Sequence, residues 1–156
     1  MKANNYIREV EVKFKTKPKT DEKIQIKSSR TAVNLFRDLE DETQEKIIAL
    51  HLDARATVSC FQIVFIGTST SSITDPKAIL RTALLTNSTS IILIHNHPSG
   101  DPSPSEDDIE VKTELSTACE HLNIKLLDFI IIGQNGKFFS CADKGILKGK
   151  EHKRDV

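Results

Sequence analysis

Apolar and polar positions along the chain switch between a period of two and a period near 3.6. From Val10 to Lys15 they alternate, Val10, Val12 and Phe14 against Glu11, Lys13 and Lys15, which predicts a half-exposed strand. A polar stretch containing Pro18 follows and reads as a linker. Behind Ser28 and Ser29, the spacing of Ala32, Val33, Leu35, Phe36 and Leu39 predicts a capped helix. Ile47 to Leu52 is a short apolar run, and Thr57 to Ile66 is rich in β-branched residues. Both predict strands, with Asp53–Ala56 as the hairpin turn between them and Gly67 as the stop.

After a polar loop at Ser69–Ser72, Asp75 caps and Pro76 opens a helix that runs to about Leu85. Ser90 to Ile94 is apolar without interruption, the pattern of a strand covered on both faces. Ser105 to His121 carries the longest helical pattern, and Leu126 to Ile132 is a second buried strand. Gln134-Asn135-Gly136 turns it into a last strand at Lys137–Ser140. The tail from Lys144 to Arg154 is basic and polar and is expected to fray. Strands alternating with helices predict an α/β domain of two or three layers around a mixed sheet.

A length of 156 residues suits one domain and is too short for a (β/α)₈ barrel of about 250 residues. Lys plus Arg and Asp plus Glu are 22 each, so no global charge favours a polyanion. Aromatic residues are 5% with no Trp, which argues against a broad base-stacking surface. Cys60, Cys119 and Cys141 are odd in number and far apart. They predict neither a disulfide framework nor a zinc ribbon, and Cys119 and Cys141 read as core thiols. Met1 to Arg8 lacks the apolar run of a signal peptide, and no stretch reaches the roughly 18 apolar residues of a membrane span. A cytoplasmic protein is the expectation.

The chemistry concentrates between His95 and Asp108. Residues two apart on a strand face the same way, so His95 and His97 direct both imidazoles at one point beyond the buried strand. Glu106, Asp107 and Asp108 open the next helix. Its apolar stripe reads Val111, Leu115, Ala118 and Leu122, and a step of three back from Val111 reaches Asp108. An acid there faces the sheet, while Glu106 and Asp107 suit the helix dipole and point away. Ser105 either caps the helix or turns its hydroxyl into the site. Two histidines, an aspartate and one open position match the coordination of catalytic zinc (Zn2+), which lowers the pKa of its water to roughly 7. Hydrolysis also needs a proton shuttle that is not itself a ligand. Glu40, Glu42 and Glu45 all precede the Ile47 strand, and spacing does not choose among them. His51 interrupts an apolar run and has no role in this reading.

His95-x-His97, seven residues, Ser105, two residues and Asp108 resemble the JAMM motif of the JAB/MPN+ metalloprotease superfamily. The run from Ile91 through Glu110, Ile66-Gly67-Thr68 and Leu127–Gly133 look like the bacterial RadC family in particular, over roughly Ser29 to Ser140. That resemblance implies a JAB/MPN fold, a mixed sheet flanked by helices similar to the cytidine-deaminase sandwich. It implies zinc on His95, His97 and Asp108, Glu45 as general base, and Ser105 as a stabiliser of the tetrahedral oxyanion. It divides the chain into residues 1–28 as strand and linker, 29–143 as the domain and 144–156 as a flexible basic tail. RadC proteins usually carry an N-terminal helix-hairpin-helix region. Residues 1–28 read differently, so the DNA-binding portion is expected to be missing.

The expectation is therefore a zinc metallopeptidase or isopeptidase acting on a peptide or isopeptide-linked protein. The alternative is a DNA-associated, repair-linked accessory module with a structural or vestigial zinc site, whose nucleic-acid contacts would fall on the basic termini. Glu45 separates the two, since a structural site has no use for a base. The Val10–Phe14 strand is an edge through which copies could pair. Three look-alikes are excluded. The tripeptide His95-Asn96-His97 is not the dispersed HNH nuclease motif, the deaminase HxE and PCxxC are absent, and there is no HExxH.

Overall fold

The computed structural model describes residues 10–16, 22–67 and 75–148. Helix α1 (Ser29–Leu35) is followed by a 3₁₀ turn, strands β1 (Glu45–Leu52) and β2 (Val58–Gly67), and helix α2 (Pro76–Leu85). Strand β3 (Ser90–Asn96), helix α3 (Glu106–His121), β4 (Lys125–Ile132) and β5 (Phe138–Ser140) complete it. The five strands form one sheet in the order β2-β1-β3-β4-β5. Only β3 and β4 pair in parallel; the other neighbours are antiparallel. A parallel pair needs a crossover, and α3 supplies it. The mixed α/β architecture expected from the pattern is the one observed.

Sheet parity divides the core in two. Ala49, Leu93, Phe129 and Ile131 meet Ile79, Ala83, Leu115 and Cys119 under α2 and α3. Ile48, Leu50, Ile92, Ile94 and Ile130 meet Ala32, Val33 and Leu39 under α1. Every residue of β3 is buried. Each large aliphatic side chain so buried stabilises the fold by about 1.5–3 kcal/mol, so the last residues of β3 continue a strand anchored in the core along its whole length.

Local chemistry sets the ends of the elements. Asp53 Oδ1 accepts from the Arg55 and Thr57 amides at 2.9 Å each and closes the β1–β2 turn. Ser28, Asp75 and Ser105 cap the three helices with side-chain oxygens. Asn87 and Asn123 take positive φ (53° and 55°) just past α2 and α3, a conformation asparagine tolerates well at a helix end. Cys119 and Cys141 are buried core residues, and burial pushes both thiols up to about 11.

Three expectations need correction. Val10–Thr16 forms no strand and is exposed throughout, because no strand among the described residues pairs with it and a lone alternating segment has nothing to bond. The fully buried positions of α3 are Asp108, Lys112, Leu115 and Cys119, three residues earlier than the expected stripe; Val111 and Ala118 pack half-buried against the same core, and Leu122 is an exposed C-cap. Lys112 belongs there because its Nζ reaches past the core to donate to the Ile146 carbonyl at 2.8 Å. Both strands at the site are longer than expected: β1 begins at Glu45 and β3 runs to Asn96, so Glu45 and His95 lie within the sheet. Ser69–Ser72 and residues 149–156 lie outside the described residues. Among the described residues, no helix is long and apolar enough to cross a membrane.

His51 is fully buried on the α2–α3 face, opposite Ile91 and Cys60, and neither ring nitrogen has a hydrogen-bond partner. Burial lowers its pKa from 6.5 to about 4. Between those values the unfolded chain binds a proton that the folded chain refuses, so stability falls as pH drops through that window. The loss amounts to on the order of 3 kcal/mol. His51→Leu is expected to remove this acid-sensitive part and to raise Tm at pH 5 more than at pH 7.5. Equal shifts at both pH values in thermal denaturation would contradict the assignment.

Candidate metal centre

The site forms where β1, β3 and the start of α3 converge. His95, 6% exposed, is the last β3 residue paired with both β1 and β4, opposite Ile47 and Ile131. His97 follows at the strand end, its amide donating to the Ile132 carbonyl at 2.9 Å. The two rings stand edge to face with centroids 4.8 Å apart. Asp108 approaches from α3, its Oδ1 accepting from His95 Nδ1 at 3.0 Å and its Oδ2 lying 3.2 Å from His97 Nε2.

A reciprocal cap holds Asp108 in place. Its amide donates to Ser105 Oγ at 3.1 Å, and its Oδ2 accepts from the Ser105 amide at 2.8 Å. The cap that starts the helix therefore also aims the carboxylate. Ser105 lines the cleft, and its hydroxyl oxygen serves the cap. Burial pushes the Asp108 carboxyl up, but hydrogen bonds from His95, His97 and Ser105 outweigh it and hold the group well below the usual carboxylate range.

His97 Nδ1 donates to the Asp101 carbonyl at 2.9 Å, which leaves Nε2 as the nitrogen facing Asp108. Burial alone would lower the His97 pKa; the bonds to Asp108 and the Asp101 carbonyl, with the charges of Asp108 and Glu45, raise it instead. The loop that carries Asp101 is shaped by two glycines. Gly100 has φ +87°, and a side chain on Gly133 would collide with the Gly100 carbonyl and Pro102.

His95, His97 and Asp108 each offer a ligand atom, all within 4.8 Å of one another. Ligands around one tetrahedral ion stand roughly 3.3 Å apart, given bonds of about 2.0–2.1 Å. His95 Nε2 is buried without a hydrogen-bond partner, as expected of a nitrogen that lacks its ligand. The residues therefore fit a metal ion.

Of the three glutamates that spacing left open, two are engaged elsewhere. Glu40 accepts from the Gly136 amide, and Glu42 pairs with Lys46. Glu45 Oε2 lies 4.0 Å from His95 Nε2 and lines the cleft. Asp107, expected to point away, borders the cleft at its mouth. The cleft of about 550 Å³ is also lined by Phe65, Gly67 and Val111, and among the described residues by no lysine or arginine. Its walls present carboxylates and imidazoles, a setting for a cation. The sequence pattern missed Asn96, which stands between the two histidines with its side chain on the opposite face; only its polarity within a buried run hints at a role.

A family model for the RadC-like JAB domain matches residues 26–146. A UPF0758 protein of Streptococcus agalactiae is 39% identical over 129 residues, 82% of this chain and 57% of that protein. One from Clostridium kluyveri is 46% identical over 116 residues, covering 74% and 50% of the two chains. One from Methanosarcina mazei is 40% identical over 114 residues, covering 73% and 49%. The chain thus spans about half the length of the curated relatives it matches.

Metal binding through His97 would need the ring neutral, so a bound ion would displace a proton. Affinity is expected to weaken by up to about tenfold per pH unit below the raised His97 pKa. Zinc titrations between pH 5.5 and 8 check this, and an affinity flat across the range would contradict the ligand set.

Proposed function

The chain belongs to the RadC-like JAB domain family, and from that premise we propose that it is a zinc-dependent hydrolase of peptide or isopeptide bonds. The observation that carries this reading is the placing of Glu45 beside the His95–His97–Asp108 cluster, in a cleft large enough for a chain segment. His95, His97 and Asp108 would hold the zinc, which supplies Lewis-acid polarisation of water and of the scissile carbonyl.

Glu45 lies 4.0 Å from His95 Nε2 and is neither held by the helix cap nor used in the ligand set. It takes the proton of the attacking water and later delivers a proton to the leaving amine. Ser105 fixes Asp108 through the cap and lines the cleft, and its hydroxyl hydrogen would serve to stabilise a tetrahedral oxyanion. Phe65 and Val111 give the cleft apolar walls beside the charged groups.

The test compares wild type with Glu45→Gln for zinc content and for hydrolysis of a fluorogenic peptide and of a lysine-ε-linked branched peptide. The variant is expected to keep its zinc and to lose about 10²- to 10⁴-fold in rate. Equal rates in the two proteins would overturn the reading, as would purified wild type that takes up no zinc.

A further inference from the structure

Asn96 separates the two histidines in sequence, yet its side chain lies on the other face of the sheet and is 1% exposed. Its Oδ1 accepts from the Lys46 amide at 2.7 Å, and its Nδ2 donates to the Gln44 carbonyl at 3.1 Å. Both partners are backbone groups, one on each side of Glu45. The β1–β3 ladder ends at the Ile47–His95 pair, so no further backbone rung of β3 reaches this end of β1. The side-chain amide offers one acceptor and one donor, as a peptide group does, and it replaces the missing rung. On its other side, Glu45 is held through its pairing with Gly67 of β2.

We propose that Asn96 is a positioning residue for Glu45. Through one side chain it fixes the backbone on either side of the glutamate to the same strand end that carries His95 and His97. The carboxylate and the imidazoles are thereby referred to one rigid segment, so the distance between base and ligand cluster does not drift when the end of β1 frays. A displacement of about 1 Å at a reacting group can cost on the order of 100-fold in rate, so such a clamp has catalytic consequence. This inference rests on the hydrolase reading above, in which Glu45 is the base.

The experiment combines amide exchange at Lys46, zinc content and hydrolysis of the lysine-ε-linked branched peptide in wild type, Asn96→Ala, Glu45→Gln and the double variant. Asn96→Ala is expected to speed Lys46 amide exchange by at least about tenfold, since its acceptor is gone. It should retain zinc, lower the rate at least tenfold, and add nothing further in the Glu45→Gln background. If Asn96→Ala does not fold, Asn96→Asp keeps the acceptor for Lys46 and removes the donor to Gln44. That variant is expected to retain zinc and slow Lys46 exchange while losing rate. A wild-type rate in either variant, with Glu45→Gln slow, overturns the role of Asn96 alone. Loss of zinc together with rate shows that Asn96 acts through the histidines and also overturns it. Equal rates in wild type and Glu45→Gln overturn the hydrolase reading and this inference with it.

Discussion

The Asp108 carboxylate accepts from the Ser105 amide on the helix side and meets both His95 and His97 on the strand side. A buried carboxylate is costly unless its oxygens are fully bonded, and here every bond comes from a group that has its own reason to be in place. The Ser105 amide is one of the unpaired donors at a helix start. The two imidazoles are directed by the parity of β3. Remove that one charge and the helix loses its reciprocal cap, while the histidines face each other with nothing between them. The same interaction thus fixes the helix start and orients the three candidate ligands.

The sheet makes this arrangement stiff. β3 is the central strand, buried along its whole length and flanked by β1 and β4, so its end moves little. The parallel step from β3 to β4 requires a helix between them, and α3 delivers Asp108 back to the end of β3 from which the chain left. Gly133 at the end of β4 leaves room for the loop whose Asp101 carbonyl orients His97. Topology thereby brings residues from three elements together without a long loop to hold them.

Much of this was legible in the sequence, for identifiable reasons. Strand parity alone directs His95 and His97 to one side. Asp108 was reached by a step back from Val111, Leu115 and Ala118, which pack on the core; the fully buried positions, Asp108, Lys112, Leu115 and Cys119, repeat the same four-three-four spacing three residues earlier but are masked by a lysine. Glu45 could not be separated from Glu40 and Glu42 by pattern, because the choice depends on tertiary partners, the Gly136 amide and Lys46. The Val10–Phe14 alternation says that the segment could pair, and pairing depends on a neighbour the alternation does not supply. The role of Asn96 depends on where the β1–β3 ladder stops, which is a matter of register.

The central claim is that His95, His97 and Asp108 bind one ion together. X-ray absorption spectroscopy of the zinc-loaded protein tests it most directly. The account predicts about four light-atom ligands at roughly 2.0–2.1 Å, with outer-shell scattering from two imidazoles that falls to one in His95→Ala. A shell of oxygen alone, or a spectrum unchanged by His95→Ala, would contradict it.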